Sequence, residues 1–285
     1  MAHSNNSVLC CLLLVGTLVA SAGVAPWRAP EAGVRTISLT RVVRIPVTKL
    51  NTQETAATVG GDVGTLTLSA EAPDEPPEGP NGFDVVDDGS FLVTDPLRRR
   101  IAVFDSQGKF RQEWKIGFAA DSVTVIPSSL ILVREASTGQ LHAFDGKGQS
   151  RPAEGAALPE PETARLLSAT RGSVTRSAGG TSGVLEVQLD KPGLRLLSLQ
   201  SLATDREGNT YVALETTAGG ETTEGINLNK YVRKYSKDGK LVCEITDIPL
   251  DYYVRPVDEL RVHQGIVYQL MTTNSEVRIN VWDTH

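Results

Sequence analysis

"GFDVVDDGSFLVTDPLRRRIAVFDSQGKF", residues 82–110, decides the fold. Three apolar runs are cut by two turn segments, "DDGS" and "DSQGK". Asp and Gly suit tight reversals, because the Asp side chain bonds main-chain groups just ahead of it and Gly tolerates positive φ. The frame recurs in "SLATDREGNTYVALE" (201–215) and "KYVRKYSKDGKL" (230–241). Residues 121–149 carry it with a weakened first turn, and 258–283 carry it without a fourth strand. First strands start near Phe83, Val123, Leu202 and Leu260, at separations of 40, 79 and 58 residues. These are one step, two steps, and one step with an insertion, "TTAGGETTEG" (216–225). The unit inside the double step starts near Ala164.

Helical periodicity is absent beyond the first residues. Short runs rich in Val, Ile, Leu, Thr and Tyr between turn signals predict an all-β chain. Units of about 40 residues with four strands each predict a β-propeller. One four-stranded sheet cannot bury both faces, whereas sheets stacked around an axis bury them against each other and remove most exposed edges. The orphan strand "GTLTLS" (64–69) is expected to complete the C-terminal blade and close the ring. Five units are visible, and the strands within 35–48 extend the count; the length favours six blades over five.

The apolar stretch "VLCCLLLVGTLVA" (8–20), followed by "ASA" (20–22), predicts a secretory signal cut after Ala22. The alternative is retention as a membrane anchor, which a stretch approaching ~20 residues can just provide. Residues 23–34 form a Pro/Ala/Gly-rich linker, and 35–285 a single propeller domain. The expected location is outside the cytoplasm, secreted or periplasmic. Of three cysteines two lie in the leader, so Cys243 stands alone and is read as a small strand residue. A net charge of -6 over 285 residues gives no reason to expect nucleic acid.

Propellers present ligand-binding groups where the first strands begin and their loops converge. The residues there are Glu78, Asn81, Asp121, Gln200, Ser201, Asp258 and Glu259. Of these Glu78, Asn81, Asp121 and Asp258 are the candidate ligands of a hard cation such as Ca²⁺, which takes oxygen donors. No other cofactor is expected. Arg98 and Arg99, together with Glu221 and Glu224 of the 216–229 insertion, are candidate partner-binding residues. Arg100 is read as structural, bonding to loop carbonyls or to Asp95. His142 and His263 are dispersed, and no Ser nucleophile elbow is present.

The segments "GPNGFDVVDDGSFLVTDPLRRRIAVFD" and "SLATDREGNTYVAL…VRKYSKDGKL" resemble NHL-type repeats, whose pattern runs from Pro-x-Gly through Asp-x-x-Gly to Arg-Ile-x-Val-Phe. The resemblance covers about a third of the chain and implies a propeller fold. More distantly the chain is similar to gluconolactonase-like propellers, which place a Glu, two Asn or similar residues, and an Asp around one divalent metal; here only one Asn, Asn81, holds such a position. Two functions therefore stand as expectations. One is a binding scaffold for an extracytoplasmic protein, peptide or glycan, with membrane contact only if the leader is retained. The alternative is a metal-dependent hydrolase or lactonase.

Overall fold

The turns that punctuate the sequence set the local structure. In this computed structural model, which describes residues 33–50, 62–72, 74–127, 129–153, 163–178, 181–218 and 227–285, one turn design recurs. The Gly108 N–H donates to the Asp105 carbonyl and the Asp105 N–H to the Lys109 carbonyl, both at 2.9 Å. The pairs Asp145/Gly148, Asp205/Gly208 and Ser236/Gly239 repeat it. Asp105 Oδ1 accepts the N–H groups of Gln107 and Lys109, and Asp145 and Asp205 do the same two and four residues ahead. These main-chain donors hold the Asp105 and Asp145 carboxyls below the usual range. The glycine follows at positive φ, and a register shift in the flanking pair, as at Val103/Phe104, completes a bulged hairpin. Two of these glycines are also sterically required. A Cβ on Gly108 would stand 2.7 Å from Val43 Cγ1, and one on Gly148 would stand 2.2 Å from the Trp114 ring.

The N-terminal strands β1 (Arg35–Ile37), β2 (Arg41–Leu50) and β3 (Leu66–Ser69) join sheets formed later in the chain. The next sheet is antiparallel: β4 (Phe83–Val85), β5 (Phe91–Asp95), β6 (Arg100–Phe104) and β7 (Phe110–Lys115). Then come β8 (Ala120–Val125), β9 (Ile131–Glu135), β10 (Leu141–Phe144) and β11 (Ser150–Arg151). Strands β12 (Ala164–Leu166), β13 (Arg171–Ala178) and β14 (Thr181–Gln188) form a three-stranded sheet. The fourth sheet holds β15 (Leu194–Thr204), β16 (Thr210–Ala218), β17 (Leu228–Tyr235) and β18 (Leu241–Ile245), with β1 added parallel to β18. In the last, β19 (Leu260–His263), β20 (Ile266–Thr272) and β21 (Glu276–Asp283) are extended by β2 and β3.

The described residues thus carry five sheets, and four of the first strands start at or near the expected Phe83, Val123, Ala164 and Leu260. Strand β15 starts at Leu194 rather than near Leu202, because "LRLLSL" opens this sheet instead of ending the one before. Three further expectations are corrected. Residues 35–48 form no sheet of their own: β1 joins β18 and β2 joins β21. The strand pairing with the C-terminal strand is β2, from Arg41↔Val281 to Pro46↔Glu276, while "GTLTLS" lies outside it as β3, parallel to β2. The reason is reach, since β2 is ten residues long and brings Val43 and Ile45 into the core, whereas β3 has four residues. Finally, the unit starting at Ala164 shows three strands where four were expected.

Packing orders the sheets. One core joins Leu92, Ile101 and Trp114 to Val123, Ile131 and Phe144, closing the β4–β7 sheet on the β8–β11 sheet. A second joins Phe83, Phe91 and Phe104 to Val43, Ile45, Leu270 and Ile279 of the C-terminal sheet. A third places Trp282 and Val267 against Tyr211, Val232 and Cys243. A fourth sets Val174, Leu185 and Val187 against Val212, Leu214 and Tyr235. First strands touch in the same sequence: β8 with β4, β4 with β19, β19 with β15, and β15 with β12. This is a propeller-like stack of sheets with their first strands on one inner side. Cys243 is buried in β18 and unpaired, and burial pushes its thiol up.

Arg100 has its expected structural role. Its Nε sits 2.9 Å from Asp95 Oδ2, its NH1 donates to the Val63 carbonyl at 3.1 Å, and its NH2 donates to the Thr65 carbonyl. It thereby clamps the approach to β3 onto the β4–β7 sheet. Burial outweighs these partners at Asp95 and raises its carboxyl above the usual range.

The two kinds of glycine should separate on substitution. Gly89, also at positive φ, has only Ser106 Cβ at 3.6 Å beside the added methyl. Gly89→Ala is expected to cost about 1–2 kcal/mol, the left-handed backbone penalty. Gly148→Ala is expected to cost ~1–3 kcal/mol more, because Trp114 must move. Urea unfolding measures both, and equal losses would contradict the tight Gly148–Trp114 contact.

Candidate functional site

The first strands bring a group of charged residues together. Asn81, just before β4, accepts through its carbonyl the N–H groups of Val257 at 2.6 Å and Asp258 at 3.1 Å, so the approaches to β4 and β19 are stitched together. Its side-chain oxygen accepts from Thr94 Oγ1 at 3.2 Å. Asp258 Oδ1 lies 2.8 Å from Arg261 NH2, and Arg261 Nε lies 3.7 Å from Asp84 Oδ1. Asp84 accepts the Val85 N–H at 2.8 Å and the Val125 N–H at 2.7 Å, linking β4 to β8. On the β8–β11 sheet Asp121 Oδ1 receives Arg134 Nε at 2.8 Å. That bond is the main reason the Arg134 guanidinium holds its proton more tightly than usual, and Asp258 adds to it. The cluster therefore comprises Asp84, Asp121 and Asp258 with Arg134 and Arg261.

Burial dominates at Asp84. It raises the carboxyl above the usual range despite Arg261 and two main-chain donors, and the nearby Asp258 charge pushes the same way. Asp258 Oδ2 and Arg261 Nε are buried without a hydrogen-bond partner among the described residues. Arg134 is the accessible cation of the group, its side chain 33% exposed.

A second network lies where the β15–β18 sheet meets the C-terminal sheet. Lys230 Nζ reaches Glu215 Oε1 at 2.9 Å and also Glu259. Glu259 accepts from the Tyr252 hydroxyl, which in turn accepts from Gln269 Nε2 at 2.8 Å. Asn280 Nδ2 donates to Gln269 Oε1 at 3.0 Å. Burial and the Glu259 charge push the Tyr252 phenol far up. At Glu215 burial is outweighed by bonds from Lys230 and Ser198, and the carboxyl falls below its usual range.

Of the candidate cation ligands, Asn81 and Asp258 adjoin and Asp121 belongs to the same cluster. Glu78 does not: it is exposed beside β3, its N–H on Ser69 Oγ at 2.8 Å. The positive charge beside Asp121 and Asp258 comes from Arg134 and Arg261. Among the described residues no group of three or more His, Cys, Asp or Glu is placed to hold a metal ion. The four residues therefore do not fit the cation cage that the resemblance implied.

Among the candidate partner-binding residues, Arg98 NH1 donates to the carbonyls of Asp62 and Thr65, while its Nε and NH2 are buried without a hydrogen-bond partner among the described residues. Arg99 is exposed in a left-handed conformation, φ +51°. Glu221 and Glu224 lie outside the described residues. His142 stacks on Phe118 with ring centres 4.2 Å apart, and His263 Nε2 stands 3.6 Å from Asp87 Oδ1.

Asp84, Arg134 and Arg261 escaped the sequence reading. A signal was available for two of them. Asp84 and Arg261 each follow the first apolar residue of a first strand, Phe83 and Leu260, where a charge interrupts an otherwise apolar run.

No family model matches the chain, and no curated protein matches it in sequence. Among solved structures, a streptogramin B lyase aligns over 75% of this chain and 97% of its own, at 12% identity and a TM-score of 0.35. A gluconolactonase from Xanthomonas campestris aligns over 71% and 86%, at 12% identity and 0.33. A calcium-binding regucalcin from Agrobacterium tumefaciens aligns over 90% and 98%, at 11% identity and 0.33. Scores of this size carry no argument about this chain, whose fold rests on its own strand pairing and packing.

Asp84 gives a pH prediction. Its folded pKa lies above the unfolded value of 3.8, so the folded state binds the proton more tightly. Wild type therefore loses stability as pH rises from near 3.8 through the folded pKa. Urea unfolding of wild type and Asp84→Asn across this interval should show the difference moving in the variant's favour as pH rises. Movement toward wild type would mean that Arg261, not burial, governs the carboxyl.

Proposed function

We propose that the chain is an exported β-propeller that binds an extracytoplasmic protein, peptide or glycan at the inner end of its first strands. The observation that carries this reading is the internal pairing of the charged cluster. Asp84, Asp121 and Asp258 already have guanidinium or main-chain partners, while Arg134 keeps N–H donors within reach of solvent. Such a surface recognises by charge and hydrogen bonds. A partly exposed Arg beside a carboxylate suits acceptor groups on a ligand, such as peptide carbonyls, acidic side chains or sugar hydroxyls.

The ring is proposed to close with five blades of the NHL type, the β8–β11 sheet meeting the β12–β14 sheet. Leu132 supports this. Its neighbours Ile131 and Val133 face the β4–β7 sheet, so alternation turns Leu132 the other way, and it is nonetheless fully buried. Export rests on the leader in residues 1–22, with the mature chain starting at Gly23.

Peptide and glycan arrays probed with wild type and Arg134→Ser test the reading. A ligand held by wild type and bound about tenfold or more weakly by the variant supports it. Chelator-sensitive hydrolysis of a lactone would overturn it. Addition of Ca²⁺ is expected to leave the melting temperature unchanged, since a cation bound only by the folded state would raise it.

A further inference from the structure

We propose that β14 is a self-association edge, and that two copies of the chain join antiparallel across a two-fold axis centred on Val184. The outer strands of the other four sheets are guarded. Strand β11 has two residues, β1 three and β3 four, and β7 carries Arg111, Glu113 and Lys115. Short length and charge are the usual protections against unwanted strand addition. Strand β14 is eight residues of "TSGVLEVQ", without Pro or Lys, and its register with β13 runs without a bulge. Glu186 is its one charge. Its sheet ends there among the described residues with three strands, where the β8–β11 sheet has four and the β15–β18 sheet with β1 has five.

The pairing fixes which groups point outward. The Thr175 N–H donates to the Thr163 carbonyl on the β12 side, and Thr175 lies opposite Val184. The N–H and carbonyl of Val184 therefore point away from β13, as do those of residues 182, 186 and 188 by alternation. Arg233 NH1 already donates to the Gln188 carbonyl at 2.6 Å, which confirms the direction and caps that end of the ladder. Among the described residues the free stretch is 182–186, with Val184 at its centre. Val184 is also 67% exposed, the most exposed of the large apolar side chains described.

A second copy suits this edge because the strand is self-complementary. With Val184 opposite Val184, the two valines cover each other, and each Glu186 faces residue 182 of the other copy. The two carboxylates then lie at opposite ends of the ladder, so like charges never meet. A parallel partner strand has precedent within this chain, but a two-fold axis requires the antiparallel arrangement.

Sedimentation velocity on protein purified after expression of the full-length sequence tests the inference. Wild type is expected to dimerise within about 1–100 µM. Val184→Pro removes an N–H that no described strand of the same chain uses, so the fold should persist, as proline is tolerated on such edges. It deletes one donor per copy and should weaken the dimer by roughly 30-fold or more. Val184→Lys gives the same test should the proline variant fail to fold. In addition, Val184→Cys should cross-link to itself under mild oxidation, with Arg171→Cys on the same sheet as the control that does not. A wild type that stays monomeric, or variants that dimerise as it does, would overturn the proposal; so would a dimer in which Val184→Cys fails to cross-link.

Discussion

The antiparallel pairing of β2 with β21 is the constraint on which the rest of the structure depends. It joins residues 41–46 to residues 276–281, across nearly the whole described chain. Through it Val43 and Ile45 enter the same core as Phe83, Phe91, Leu270 and Ile279. Without β2 the face shared by the β4–β7 sheet and the C-terminal sheet would lose part of its apolar lining. A stack of sheets in which each buries its faces on its neighbours gains little from any one sheet alone. The joining strand converts serial contacts into one cooperative body.

Charge is buried in the same molecule at several inter-sheet joints. Arg100 with Asp95, Arg233 with Glu244, and Lys230 with Glu215 and Glu259 all lie largely away from water. Removing such groups from water costs several kcal/mol per ion, so each joint is favourable only where hydrogen bonds fill the remaining valences. Arg100 shows the device at its fullest, with two carbonyls and two carboxylates around one guanidinium. Geometric demands of this kind fix how one segment sits on another, which greasy contact alone does not do.

The legible part of the fold was local. Asp-x-x-Gly turns can be recognised because the carboxylate, the N–H groups it accepts and the glycine lie within five residues of each other. The strand starts near Phe83, Val123 and Leu260 followed from those turns, whereas the start of β15 at Leu194 did not. What the residues did not disclose was long-range pairing. Nothing in "RVVRIPVTKL" says whether it begins a sheet or finishes one, since alternation is the same either way. The site divided along the same line. Asp121 and Asp258 were found by their place before or at a first strand. Glu78 has the same kind of place but turns to solvent beside Ser69, and the arginines that neutralise the aspartates come from β9 and β19, one of them 13 residues from its partner in sequence.

Native-state amide hydrogen exchange tests the central claim most directly. If β2 is integral to one cooperative body, the slow amides of β2 and β21 should exchange only through global unfolding. Their free energies should then match those of β5 and β16 within about 1 kcal/mol. Opening of β2 and β21 at much lower cost, while β5 and β16 remain protected, would contradict it.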